Sequence, residues 1–403
     1  MKKLLIALAL ALSGLSDAYS SACPSPQELD DILDCLKDKH TLVLTKNFQA
    51  QSLENLHEVM GQWPNPILDV QSVHSGSSRQ TQVVLTQKID LAGKLEALRE
   101  KGKLIYEVSK NQLEVTKEDV IEQVLLNIHH IMHVHETLIV NKEILQSLSK
   151  VISALKRRPA LNPEQEASLM NFKLQEGEVR NIIALLEDEE EEILLFFALN
   201  GGYSKSDVLK VMEDHGHSLE VSRLKEGLSL NLLRLGLETK LAEKELKLQN
   251  AIVYEDISIG PIFMNEDFKT DSEKLFGVAV NIPLPLWQSN GAGKAMARTS
   301  LRNSKLQYNL FKEKEDLHKR SLLERIDNLK ENLKLLPKEE ELMKTHLRVE
   351  RLYSQGLISP SSFLDSHRIW RDVTSSKLEL EEKILKLKIS YYRLIGQLNE
   401  VHL

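Results

Sequence analysis

Apolar side chains recur every three to four residues over very long stretches of this chain, and in each half the pattern gives way briefly to runs that alternate residue by residue. Residues 26–62 predict a helix with Leu29, Ile32, Leu33 and Leu36 on one face, ended by Gly61 and the WPNP stretch at 63–66. Two strand candidates follow at roughly 66–74 and 80–90, joined by the turn-forming HSGSSRQ at 74–80, and predict a hairpin. From Leu91 to about Leu155 there is no proline, and the only glycines, Gly93 and Gly102, lie near the start. That stretch predicts one helix of roughly 65 residues, about 100 Å at 1.5 Å per residue. No ordinary globular core accommodates such a length. RRPALNPEQE at 157–166 breaks it, a second helix runs to about Leu199, and LNGG at 199–202 closes this half.

The second half repeats the plan. A helix is expected over about 217–250, strands near 252–262 and 275–286, and a long helical stretch from Ala292 to YSQGLISPSSFLD at 353–365. Gly93-Lys94 corresponds to Gly293-Lys294, 200 residues on, and Asn162-Pro163 to Ser359-Pro360, 197 residues on. The two halves therefore carry nearly equal lengths of helix between the same landmarks. Asn and Ser suit an N-cap and Pro the first helical position, so both pairs read as hairpin tips. Pro337 departs from the repeat and should kink or interrupt the second long helix. The expected organisation is a leader at 1–22, a first repeat at 23–202 and a second at 203–403.

LFGVAVNIPLPLW at 275–287 places Phe276, Val278, Val280, Ile282, Leu284 and Leu286 on one face, opposite Gly277, Ala279, Asn281, Pro283 and Pro285. This is the length and alternation of a tilted strand crossing a bilayer. A buried strand of a soluble sheet alternates in the same way. The other strands are weaker: ILDVQSVHS has only Leu68 and Val70 in phase, and QVVLTQKIDL mixes its faces. Four strands cannot close a membrane barrel, which leaves no free edge and needs about eight strands or more. If these strands span a membrane, several copies must share one barrel.

Composition narrows the possibilities. Of the 403 residues 42% are apolar and 28% charged, too polar for a bundle of membrane helices and too apolar for a disordered chain. A net charge of −7 offers no basic face to a nucleic acid. MKKLLIALALALSGLSDAYSSAC has two lysines, an apolar run from Leu4 to Leu12 and small residues before Cys23, the plan of a secretory signal peptide. Cys23 is a candidate for lipidation, although Ser20 stands where such signals usually have Leu; the alternative is a disulfide with Cys35, the only other cysteine.

Chemical motifs do not point to catalysis. GAGK at 291–294 fails as a phosphate loop, because Gln288 and Ala295 stand where that loop needs Gly and Ser or Thr. His129 and His133 in IHHIMHVHE have the i, i+4 spacing of a metal-binding pair but no third ligand in view, so helix packing is the plainer reading. EDEEEE at 187–192 is most simply a solvated acidic face. There is no nucleophile–base–acid pattern and no CxxC. No enzyme and no cofactor is expected.

WPNPILDV, VVLTQKIDLAGK, VAVNIPLPLWQSNGAGK and YSQGLISPSSFLD, in this order and spacing, resemble the TolC family of outer-membrane efflux channels over essentially the whole mature chain. The GK after the first hairpin and the PLW end of the last strand are most similar to the heavy-metal branch, whose members work with resistance-nodulation-division pumps. The resemblance implies a mainly α fold with membrane β-structure: long α-helical hairpins forming a periplasmic α-barrel, and four strands per protomer in a shared 12-stranded trimeric outer-membrane β-barrel. It implies a homotrimer in outer-membrane lipid, working with a periplasmic adaptor and an inner-membrane transporter, and passing metal ions or small toxic compounds passively. Type I protein secretion fits the same resemblance, and a soluble periplasmic coiled-coil scaffold is the reading without a membrane. By the resemblance Asn162, Pro163, Gly356, Leu357, Ile358 and Ser359 lie at adaptor-docking tips. Asp365 matches an acidic position of the pore constriction, and the family's other acidic position is Ser362 here. The plainer reading of Asp365 is a solvated helix-face carboxylate favoured by the dipole of a helix start.

Overall fold

The computed structural model describes residues 23–76, 78–213, 227–268, 271–287 and 289–400, so the leader lies outside the described residues. The elements in chain order are α1 (Leu29–Lys39), α2 (Thr41–Ser52), α3 (Leu56–Met60), β1 (Ile67–Ser75), β2 (Ser78–Ile89), α4 (Lys94–Lys156), α5 (Pro163–Gly201), α6 (Lys205–Glu213), α7 (Leu230–Ala251), β3 (Ile257–Phe268), β4 (Ser272–Asn281), α8 (Gly291–Lys334), α9 (Glu339–Ser354) and α10 (Pro360–Leu394), with a short 3-10 turn at Leu398–Glu400. They form two compact units, each drawing on both halves of the chain. The first comprises Met1–Leu44, Thr116–Ser229 and Asp316–Leu403, and the second Thr45–Val115 and Leu230–Glu315.

The first unit is helical. α4 is 63 residues long, close to the expected length. Its buried positions Val124, Ile128, Ile131, Val134, Leu138, Asn141, Ile144, Leu148, Ile152 and Leu155 recur three or four apart, which keeps one seam against neighbouring helices from Val124 to Leu155. α5 presents Phe172, Val179, Ile183, Ile193 and Phe197 as its buried stripe and stops at Gly202, in the left-handed conformation (φ 72°), where the Gly202 N–H donates to Ala198 O at 3.0 Å and the Tyr203 N–H to Phe197 O at 3.4 Å. α8 ends at Lys334 and α9 begins at Glu339, so Pro337 interrupts the second long helix as its chemistry requires. Cys23 and Cys35 are joined in a disulfide, with Cα atoms 6.0 Å apart.

The second unit carries one antiparallel sheet in the order β1-β2-β3-β4. Both alternating segments of each half pair as a hairpin, and the two hairpins join through β2 and β3. α4 starts after Asp90, whose carboxylate accepts from Ala92 N at 3.0 Å and Leu95 N at 2.7 Å. The corresponding GAGK opens α8, where Asn290 donates from Nδ2 to the Gln249 carbonyl at 2.9 Å; the motif is a helix start.

Several boundaries differ from expectation. The single helix foreseen at 26–62 is broken into three: His40 (φ −57°, ψ 137°) leaves the helical conformation between α1 and α2, and a turn at 53–55 separates α2 from α3. β3 runs from Ile257 to Phe268, later than the expected 252–262. Its inner proline, Pro261, faces a gap in the β2–β3 ladder between the pairs Val84–Ile262 and Gln87–Ile259, where no donor is required. Beside it, a Cβ on Gly260 would lie 1.7 Å from the Leu85 carbonyl, so the close approach of β2 requires glycine. β4 stops at Asn281, before Pro283 and Pro285. The helix expected over 217–250 is described from Leu230, its first part lying outside the described residues.

Candidate functional site: the hairpin tips and the exposed sheet

Each tip in the first unit is built by capping. Asn162 (φ −79°, ψ 164°) accepts from Gln165 N at 2.8 Å through Oδ1, and Gln165 Oε1 accepts the Asn162 N–H at 3.2 Å; Pro163 follows at the first helical position. At the second tip α9 ends with Gly356 at φ 72°, donating to Tyr353 O at 2.9 Å, while Leu357 N donates to Leu352 O at 3.0 Å. Ser359 then caps α10 by accepting from Ser362 N at 3.1 Å. The stop and restart is therefore a helix C-terminus and the next N-terminus with one exposed apolar side chain, Leu357, between them.

A groove of 790 Å³ links the tips. Asn162, Gly356 and Ile358 line it, whereas Pro163, Leu357 and Ser359 do not. Its floor includes Leu155, Tyr353 and Phe363, and its walls carry Lys150, Arg158, Arg351, Glu164 and Glu350. Asp365 and Ser362 lie outside the groove: the Asp365 side chain is exposed and pairs with Arg368 at 3.2 Å, and Ser362 shares the cap of α10. A pair this exposed contributes little to stability.

Behind the groove is a stack that the sequence did not reveal. Phe172, Tyr353, Phe363, His367, His346 and Trp370 follow one another with ring centroids 4.3 to 5.9 Å apart. His367 Nδ1 lies 2.8 Å from the Phe363 carbonyl. Burial pushes the His346 imidazole down to about 4, helped by His367 and Lys150 and opposed by Glu350, 3.7 Å away. Burial lowers His367 as well. The available signal was the spacing of Phe363, His367 and Trp370 at i, i+4 and i+7, an inward face of α10.

The other histidines are distributed differently. His130 Nε2 lies 2.8 Å from Glu189 and His135 Nδ1 3.8 Å from Glu190, so the acidic run is partly engaged; Glu190 is buried and also meets Lys205 at 2.6 Å. Burial and the neighbouring His130 hold His133 low. Among the described residues no three His, Cys, Asp or Glu side chains are disposed to hold a metal ion, His129 and His133 included.

In the second unit the register assembles what single strands left uncertain. Opposed residues of an antiparallel pair project to the same face. The pairs Leu68–Leu85, Val70–Val83, Val83–Phe263, Phe263–Phe276, Pro261–Val278 and Ile259–Val280 therefore form one apolar surface. Toward the β1–β2 turn it ends in polar rows, Ser72–Thr81–Asn265–Lys274 and His74–Arg79–Asp267–Ser272. Phe276 is 82% exposed and Trp287, beyond the strand end, 91%. The opposite face mixes polar and apolar residues, in the rows Asp69–Val84–Ile262–Gly277, Gln71–Gln82–Met264–Leu275 and Val73–Gln80–Glu266–Glu273. β1 and β4 each leave one edge without a partner in the sheet. Among the described residues no helix is long and apolar enough to cross a membrane.

No protein-family model matches the chain, and no curated protein matches its sequence. Solved structures do. A membrane protein from Pseudomonas aeruginosa superposes with a TM-score of 0.72 at 13% identity, over 93% of this chain and 91% of that one. The Campylobacter jejuni outer membrane channel CmeC gives 0.69 at 11% identity over 94% and 89%. CusC, whose structures concern folding and transmembrane channel formation, gives 0.67 at 16% over 93% of both chains. The chain has the TolC-type fold. The TolC-type protomer is thus reached at identities where the likeness speaks for architecture, and the four-stranded sheet and long helices match it over nearly the full chain.

Proposed function

We propose that this chain is an outer-membrane exit duct of a tripartite efflux system, a homotrimer that passively conducts metal ions or small toxic compounds delivered by a periplasmic adaptor and an inner-membrane transporter. The observation that carries the proposal is the sheet: a continuous exposed apolar face, an opposite face where polar residues are interspersed with apolar ones, and two unpaired edges. In water such a face and such edges invite aggregation. In a bilayer the face is solvated by lipid, but the edges must pair, and three copies of four strands close a barrel of twelve.

The groove between the tips then serves as the docking place for the adaptor, with Asn162, Gly356 and Ile358 on its lining and Leu357 exposed beside it. Outward movement of the hairpins opens the mouth while the barrel stays fixed, with Asp365 near the constriction. The duct consumes no energy and holds no cofactor, and substrate choice rests with the transporter.

The test is mass determination of the detergent-extracted protein followed by bilayer conductance of the same fraction. A detergent-bound, conducting trimer is expected. A water-soluble protein that does not conduct would replace the duct with a periplasmic scaffold.

A further inference from the structure

We infer that Cys23 is half of a structural cystine and not a lipid-attachment site, which makes this channel the client of a thiol-oxidising protein partner. Divalent sulfur has room for one bond beyond Cβ. The Cys23 Sγ that a thioether-linked diacylglyceryl group would occupy is bonded instead to Cys35 Sγ. The sequence contains no third cysteine to compete for either sulfur.

The surroundings of the bridge are built for it. Cys23 donates its backbone N–H to the carbonyl of Gly201 at 2.9 Å, and Gly201 is the last residue of α5, ahead of the left-handed Gly202. Cys35 lies on α1, whose Leu29, Ile32, Leu33 and Leu36 are buried. Leu36 reaches the same corner: a Cβ on Gly201 would be 3.2 Å from Leu36 Cδ2 and 2.4 Å from the ring of Tyr203, itself buried. The backbone of residue 23, the inner face of α1 and the end of α5 thus meet at one point. The bridge across 12 residues of sequence ties the first to the second. Closing that loop restricts the unfolded chain and so favours the docked helix.

The inference rests on the export reading above, because a bridge of this kind persists in an oxidising compartment. Its formation balances as thiol–disulfide exchange. One cysteine thiolate attacks the disulfide of an oxidoreductase, forming a mixed disulfide and releasing one partner thiolate. The second cysteine thiolate then attacks the mixed disulfide at this chain's sulfur, forming Cys23–Cys35 and releasing the second partner thiolate. The two thiol protons and two electrons leave with the partner, which becomes a dithiol.

The experiment uses the full chain fractionated from expressing cells. Free thiols are blocked with one maleimide, the protein is reduced, and newly exposed thiols are labelled with a second maleimide before intact-mass measurement. The expected result is membrane-fraction protein with no first label, two second labels and no diacylglyceryl mass. Cys23 carrying diacylglyceryl, or both thiols taking the first label in membrane-fraction protein, would overturn the inference and leave the channel reading standing. Free thiols in protein retained in the cytoplasm would overturn the export reading and the cystine with it. In a Cys35→Ser chain, Cys23 is expected to take the first label and amides of residues 29–39 to exchange faster than in the wild type; unchanged exchange there would refute the structural role of the bridge.

Discussion

Lowering the pH from 7 to 5 is expected to loosen the second hairpin, and His346 supplies most of the effect. In the folded chain its ring is 7% exposed, stacked on Trp370 at 4.3 Å, and its pKa falls from an ordinary 6.5 to about 4. The sign follows from linkage. A base whose folded pKa is depressed binds its proton more readily when the hairpin opens, so its contribution is complete above about 6.5 and is lost as the pH falls toward 4. The full shift corresponds to about 3 kcal/mol at 1.36 kcal/mol per unit, of which about 2 kcal/mol is lost by pH 5. That raises the population of locally opened hairpin roughly thirtyfold. His367, lowered by burial, acts in the same direction. Glu143 opposes it: burial, Glu350 and Glu339 raise its carboxyl, so its protonation favours the folded state as pH falls. The assay is hydrogen exchange of peptides covering residues 339–375, corrected for the intrinsic pH dependence of exchange. A His346→Phe chain keeps a ring in the stack without the titration and should lose most of the acid-induced rise. An opening equilibrium independent of pH between 7 and 4, or an equal rise in His346→Phe, would refute the reasoning.

Gly356→Val forces a β-branched side chain to φ 72°, at a cost of roughly 1–2 kcal/mol, without touching the barrel; trimers should assemble while cross-linking to the adaptor falls, and undiminished efflux would remove the tip from docking. Asn162→Ala removes the acceptor of the Gln165 N–H and should destabilise the first tip by about 1 kcal/mol, read as faster amide exchange at the start of α5. Val278→Arg places a charge on the apolar face, costing about 2–4 kcal/mol at the bilayer midplane, and should reduce the heat-resistant trimer recovered from membranes. Asp365→Ala is expected to raise closed-state conductance or relieve cation block, and unchanged single-channel behaviour would exclude Asp365 from the gate.

What the sequence displayed and what it withheld divide by the range of the interactions involved. α4 was legible because its signal is local: no proline, glycines only near the start, and a seam of buried residues three or four apart. Both tips were legible because capping is decided within four residues, Asn162 to Gln165 and Ser359 to Ser362. The apolar sheet face was legible in β4 and in part of β1 alone, since Leu85, Val83 and Phe263 join Phe276 and Leu68 on one side only once the register is known, and register belongs to pairs of strands. β3 lies some five residues later than its local alternation suggested, and Pro261 sits inside it because the β2–β3 ladder has a gap at that place. The groove draws Leu155 and Asn162 from one hairpin and Tyr353 and Phe363 from the other, residues some 200 positions apart, so no local window contains it. The imidazole stack lies between these extremes. Helical spacing puts His367 and Trp370 on an inward face of α10, but their partner His346 comes from α9, across the turn that Gly356 makes possible. The same glycine that was visible as punctuation therefore brings together the two histidines through which the tip responds to pH.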